Sequence, residues 1–179
     1  MRENVVEELN QNLERIIGFI GNCDNKASII LGFNGILMGI LLSCDFIEIC
    51  SNSSFDSCLL TIFLKATMCI TIFMWSYGLY RLLKVLLPKT DCSDFADGAL
   101  ELKSIIYFSG ISSKSYTYYK NKVLSMDDNQ YLNDIASQVY LNAKICTEKF
   151  KNLRLGLIFS NIGIAMFAIL FFVLTIFKI

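Results

Sequence analysis

Residues 155–177 read LGLIFSNIGIAMFAILFFVLTIF, and no acidic or basic side chain interrupts the run from Leu155 to Phe177. An α-helix rises about 1.5 Å per residue, so about 20 apolar residues cover the ~30 Å hydrocarbon core of a bilayer. The stretch reads as a transmembrane helix. Upstream, residues 58–83 form a second apolar stretch with Lys65 as an internal charge. A lysine about two turns from the helix end can extend its stem and keep its ammonium among the headgroups. Residues 27–47, ASIILGFNGILMGILLSCDFI, form a third, with Asp45 near its far end.

The composition agrees. The chain has 179 residues, 54% of them hydrophobic, and a mean hydropathy of +0.51, more than a water-facing surface usually tolerates. One proline and ten glycines leave few breakers, which favours long helices over turn-rich β structure. The expected fold is an all-α membrane protein with three transmembrane helices and a cytoplasmic helical stalk domain. Residues 1–26 are a cytoplasmic amphipathic helix continuous with the span at 27–47. A periplasmic loop at 48–57 follows, then the span at 58–83, a cytoplasmic helical domain at 88–154 and the last span at 155–177. Orientation rests on basic residues: 48–57 holds none, whereas Lys26, Arg81, Lys84, Lys89, Lys149, Lys151 and Arg154 border the opposite face. Basic residues mark the inner side, so the N-terminus is cytoplasmic in this multi-pass arrangement.

Several function classes drop out. Sixteen basic residues balance sixteen acidic ones, which gives no electrostatic case for nucleic acid. Histidine is absent, and with it the commonest general base and metal ligand. No catalytic residue stands out, so we expect neither an enzyme, nor a bound metal, nor a cofactor. The seven cysteines show no C-x-x-C spacing; a disulfide between Cys50 and Cys58 is left open. Met1 to Asn22 is amphipathic and unlike a cleavable signal peptide.

Two amphipathic stretches run into spans without a break. Val6, Leu9, Leu13, Ile16, Ile20, Cys23, Ala27 and Ile30 recur at steps of three and four, as do Leu132, Ala136, Val139, Ala143, Cys146, Phe150, Leu153 and Leu157. Such spacing keeps one seam toward a partner helix, and the second helix is expected to run from about Asp128 to Phe177. Phe95 to Phe108 reads as a short helix, with SIIYFSGIS (Ser104 to Ser112) equally readable as a brief extended piece, and Ser112 to Leu124 reads as another helix. Within the spans, Gly35 and Gly39 make a G-x-x-x-G, and Gly156 and Ser160 repeat the small-x-x-x-small spacing. These rows let helices approach closely, here by packing within one protomer, with a dimerising face as the other option. Asn34 and Asn161 are expected to hydrogen-bond across helices.

Asp24-Asn25-Lys26-Ala27-Ser28, opening into a span with Asn34 and Gly35, resembles the start of the Pycsar membrane effectors. Tyr80 and Arg81 match the tyrosine or arginine that family places at the cytoplasmic end of a second span. Ile106-Tyr107-Phe108-Ser109-Gly110-Ile111 with Tyr118 resembles its Y-F-x-x-I followed by a tyrosine. Asp134-Ile135-Ala136-Ser137-Gln138, then Ala143, Ile145, Lys149 and Phe150, resemble its D-[IL]-A-x-Q helix. The ordered set is more specific than any one motif. The resemblance implies a bacterial anti-phage effector of the inner membrane. It would respond to cCMP or cUMP from a partner cyclase and impair membrane integrity to abort infection. A structural membrane subunit, or a small channel not gated by nucleotide, is the alternative. The lipid bilayer and further copies of the chain, as a homo-oligomer, are the other expected partners.

A cyclic nucleotide needs a cation for its phosphate, an aromatic face for its base and polar groups for its edges. The candidates are Asp24, Asn25, Lys26, Arg81, Tyr107, Tyr118 and Lys149; Arg154, Tyr80, Phe108, Asp134 and Gln138 offer the same chemistry. Each also has an ordinary reading. Arg81 anchors a span end, Tyr107 and Phe108 suit a core, and Lys149, Lys151 and Arg154 suit a surface beside anionic lipid. Asp24 resists such a reading most, because a carboxylate before a span costs insertion energy unless paired or wet.

Overall fold

Long helices form because little interrupts them. The sole proline, Pro88, falls just after a helix that ends at Leu86, where a proline disfavours helical geometry in the residue before it. The computed structural model describes residues 2–41, 58–88 and 104–177, and among them there are helices and no strand. The helices are α1 (Arg2–Leu41), α2 (Cys58–Leu86), α3 (Phe108–Ser112), α4 (Tyr116–Leu124) and α5 (Asp128–Phe177). Side-chain caps set two of the starts: Ser115 Oγ accepts the Tyr118 N–H at 3.3 Å, and Asp127 Oδ1 accepts the Gln130 N–H at 2.7 Å.

The chain divides into two compact units. The first holds Met1–Asn22 and Pro88–Lys149; the second holds Cys23–Leu87 and Phe150–Ile179. α1 and α5 each contribute to both.

In the second unit α2 and α5 pack antiparallel on matched seams. α2 buries Thr71, Trp75, Gly78, Leu82 and Val85, and α5 buries Leu153, Gly156, Ser160, Gly163 and Phe167. Both rows step by four and three, the spacing that holds one seam toward a partner. Moving along α2 from Leu82 to Gly78 to Trp75 moves along α5 from Gly156 to Ser160 to Gly163. A Cβ at Gly156 would lie 2.7 Å from Leu82 Cγ, one at Gly78 would strike the Ser160 backbone, and one at Gly163 would lie 2.8 Å from Trp75 Cα. Small residues thus permit the approach that apolar solvent cannot drive. From α1 come Cys23 and Ala27, which join Leu82, Val85 and Leu153 in one core flanked by Ile30, Leu31, Leu79 and Leu157.

In the first unit α1 turns inward the seam its spacing predicts, with Val6, Leu9, Leu13, Ile16 and Ile20 half-buried. α5 keeps its expected seam only in part. Leu132, Val139, Ala143 and Cys146 are half-buried like the α1 seam and Ala136 is exposed, while Asp134, Ile135, Ser137, Gln138, Leu141, Ile145 and Lys149 are buried. The true stripe passes through four polar residues, so a search for apolar periodicity slides to the neighbouring row.

Other expectations also shift. The helix expected over Phe95–Phe108 falls largely outside the described residues; Ile105 to Tyr107 form a bend, and helix begins at Phe108. The helix expected from Ser112 begins instead at Tyr116. Among the described residues, a Cβ at Gly35 or Gly39 would meet nothing within 4 Å. Asn161 is exposed. The span expected at 27–47 extends beyond the described residues, as do the loop at 48–57 and Cys50.

Candidate functional site

Two described helices, Thr61–Leu86 and Asp128–Ile176, are long and apolar enough to cross a bilayer. Little of either apolar window is covered by protein: 17% and 22%. Phe63, Phe73, Ile169 and Phe172 are each about two-thirds exposed. Water rarely faces an apolar exterior of this extent, whereas hydrocarbon solvates it without cost.

Inside the second unit a polar contact crosses between helices. Trp75 Nε1 donates to Asn34 Oδ1 at 2.7 Å, and Asn34 Nδ2 donates to the Ile30 carbonyl at 2.8 Å. Asn34 is almost fully buried, so the pair satisfies an amide and an indole that would otherwise be orphaned. Nearby, the Arg81 guanidinium lies 5.9 Å from the Tyr77 ring centroid, and Tyr77 meets Phe159 edge-on at 4.9 Å. Arg81 Nε is buried and finds no hydrogen-bond acceptor.

The first unit is organised around a buried carboxylate. Asp134 is 2% exposed. Its Oδ2 accepts the Ile105 N–H at 2.9 Å, which straps the bend before α3 to the side of α5. Oδ1 is buried with no partner. Ser104, also buried, shapes the bend itself: its Oγ accepts the N–H groups of Ile106 and Tyr107, each at 3.1 Å. Gly110 is required here, because a Cβ would collide with the Ser104 carbonyl oxygen. Farther along α5, burial pushes the Cys146 thiol up from its ordinary pKa, while the positive charge of Lys149 partly opposes the shift.

Two cavities open in this unit. One of about 420 Å³ has walls from Ile105, Ile106, Ile111, Tyr119 and Val123, closed by Met126, Asp127, Asp128 and Tyr131. The other, of about 570 Å³, lies between α1 and the start of α5 and carries three carboxylates, Glu7, Glu14 and Asp128.

The expected ligand residues divide between the units. Asp24, Asn25, Lys26 and Arg81 fall in the second; Tyr107, Tyr118 and Lys149 fall in the first. Asp24, Arg81 and Tyr107 are half-buried, Asn25, Lys26 and Tyr118 are exposed, and Lys149 is buried rather than facing a surface. Tyr107 packs against Phe108 at 4.6 Å between centroids, and Lys114 Nζ stands 5.3 Å over the Tyr118 ring. None of the seven lines either cavity. Asp134 and Gln138, noted only as possible edge contacts, prove to be central buried polar groups, and Ser104 gave no sequence signal. Among the described residues no group of three or more His, Cys, Asp or Glu side chains could hold a metal ion.

An all-helical membrane protein, with a polar helical unit built on a helix that also forms its apolar unit, is the class these features define. The chain belongs to the Pycsar effector family: the model described as "Pycsar effector protein domain" matches residues 8–176. A curated relative, the Pycsar effector protein GmPycTM of Gulbenkiania mobilis, is 34% identical over 158 residues, covering 82% of this chain and 81% of that one. No solved structure matches the chain.

Proposed function

We propose that the chain is a non-catalytic membrane effector of anti-phage defence, which binds a cyclic pyrimidine mononucleotide and responds by impairing the membrane. Membership of the Pycsar effector family supports the defence role. The observation that carries the gating is α5, one unbroken helix from Asp128 to Phe177 that forms part of both units. A ligand that binds one arrangement of the first unit better than another shifts the population of that arrangement. A continuous helix is the route by which such a shift would reach its apolar length.

The same reading assigns three spans, at 27–47, 58–83 and 155–177, in the bacterial inner membrane. The N-terminus and residues 88–154 are cytoplasmic, where the product of a partner cyclase would reach them. Membrane damage would come from a homo-oligomer.

The test uses purified full-length protein in dye-loaded liposomes, challenged with a panel of cyclic mononucleotides and dinucleotides. Leakage is expected with cCMP or cUMP and not with dinucleotides. Leakage that is the same with and without every nucleotide sinks the gating and favours an ungated channel.

A further inference from the structure

The second face of the first unit carries chemistry that the candidate residues above leave unused. The 420 Å³ cavity is in the lower part of the range for small-molecule sites, sized for one ring system rather than two nucleotides. Its floor is aliphatic, from Ile105, Ile106 and Ile111, and Tyr119 and Tyr131 add two flat walls. At the mouth stand Asp127 and Asp128. One Asp127 oxygen already caps α5 through the Gln130 N–H, and Asp128 is exposed. The cavity therefore combines aromatic faces for stacking with carboxylate oxygens that only accept hydrogen bonds.

We propose that this cavity is the base pocket of the cyclic nucleotide site, and that its carboxylates select a pyrimidine with an exocyclic amino group over one with a carbonyl there. The proposal rests on the functional reading above and names its ligand more narrowly. A cytosine-type ring offers two N–H bonds from its 4-amino group, which a carboxylate accepts well. A uracil-type ring offers one N–H between two carbonyl oxygens, whose lone pairs a carboxylate repels. Both carboxylates repel the ligand's own phosphate, so the phosphate points out of the mouth. Lys120 and Lys122 stand next to the lining residues Tyr119 and Val123 in the sequence of α4, although neither lines the cavity itself. The neighbouring 570 Å³ cavity suits this ligand less, having three carboxylates and one aromatic ring in its wall where the proposed pocket has two of each. A base seated against Ile105 and Tyr131 also bears on the joint that matters, because Asp134 ties Ile105 to α5 one turn beyond Tyr131.

The experiment measures equilibrium binding of cCMP and cUMP to the full chain in lipid nanodiscs, for the wild type and four variants. The wild type is expected to bind cCMP about tenfold more tightly than cUMP, the scale of one good base-edge contact. Asp128→Asn is expected to erase that preference, since an amide both donates and accepts. Tyr119→Ala, which empties the cavity, and Val123→Phe, which fills it, are each expected to weaken both ligands tenfold or more. Glu7→Gln, confined to the other cavity, is expected to change nothing, and unchanged hydrogen exchange at the Ile105 amide identifies variants whose first unit is still folded. Equal or tighter cUMP binding by the wild type overturns the proposal, as does binding by folded Asp128→Asn and Tyr119→Ala that matches the wild type. If nucleotides still cause dye leakage in those variants, only this pocket is lost. If no cyclic nucleotide binds the wild type, the pocket and the functional reading fall together.

Discussion

The two lengths of α5 bury side chains by opposite means. From Phe150 onward the helix presents Leu153, Gly156, Ser160, Gly163 and Phe167 at heptad spacing, and α2 answers residue for residue with Val85, Leu82, Gly78, Trp75 and Thr71. Before Lys149 the buried stripe is Asp134, Ser137, Gln138 and Lys149 among Ile135, Leu141 and Ile145. The difference follows from the solvent each length excludes. In hydrocarbon, apolar side chains gain little by leaving the solvent, so close backbone approach and occasional hydrogen bonds hold helices together. In water, apolar burial drives collapse, and buried polar groups must find partners or cost stability. The first unit therefore carries specific, breakable contacts, and the second carries tight shape.

The largest effect should come from the tight seam. Gly78→Ala or Gly163→Ala puts a methyl group onto backbone atoms of the facing helix, which cannot yield as a side chain can. Each should cost about 3 kcal/mol, the upper end of overpacking penalties. Gly156→Ala should cost less, because its nearest neighbour is the Leu82 side chain. Gly35→Ala, with open space around it, should leave protomer stability unchanged or slightly raised. Trp75 is the sole tryptophan and lies on this seam, so denaturant titration in detergent followed by its fluorescence ranks all four. A Gly35→Ala cost as large as that of Gly78→Ala would contradict the seam.

Next in size is the strap in the first unit. Asp134→Ala removes the acceptor of the Ile105 N–H and should cost about 2 kcal/mol, the scale of leaving a part-buried donor unsatisfied. Asp134→Asn keeps an acceptor and should cost less. Hydrogen exchange reads the effect locally: the Ile105 amide should exchange faster in the alanine variant, while Trp75 fluorescence stays put. Parallel losses at both sites would mean the two units do not respond separately.

How far the sequence anticipated this architecture depends on which solvent the residues face. The apolar helices are legible because hydrocarbon demands long unbroken runs, and residues 155–177 supply one. The α1 seam is legible for the same reason, since Val6, Leu9, Leu13, Ile16 and Ile20 are apolar and regularly spaced. The α5 seam before Lys149 is not. Its most buried row includes Asp134, Ser137, Gln138 and Lys149, so apolar periodicity picks out the adjacent row, where Leu132, Val139, Ala143 and Cys146 are half-buried and Ala136 is exposed. Ser104 is invisible for a related reason: its role is confined to one bend, where it accepts the N–H groups of Ile106 and Tyr107. The cavity between the bend, α4 and α5 is a product of that bend, and no spacing along the chain announces it.

Smaller again is the Asn34–Trp75 hydrogen bond. Interhelical hydrogen bonds in bilayers average about 0.6 kcal/mol and reach about 1.7, and this one is short and buried. Asn34→Leu should therefore cost about 1 kcal/mol by leaving the indole N–H without its acceptor. Trp75→Phe should cost a similar amount through lost volume and lost bond. Combined with Asn34→Leu, it should cost less than the two separately, because the bond is lost only once. Full additivity in thermal melts followed by circular dichroism would mean the contact contributes nothing.

The gentlest probe of the first unit is pH. Burial raises the Cys146 thiol pKa in the folded chain, and Lys149 offsets part of that rise. A thiol whose folded pKa exceeds its unfolded one contributes stability that is complete below the unfolded value, about 8.5. That contribution is lost as pH climbs through the folded value. Stability of the first unit should thus decline slightly in the alkaline range above about pH 8.5, and Cys146→Ser should flatten the decline. The same shift governs reactivity, since the thiolate is the nucleophile. Alkylation of Cys146 should reach half its limiting rate at a higher pH than an ordinary thiol, and Lys149→Gln should move that midpoint higher still. A midpoint that moves lower in Lys149→Gln would show that the lysine does not favour the thiolate. It would then remove the electrostatic link between the buried lysine and Cys146.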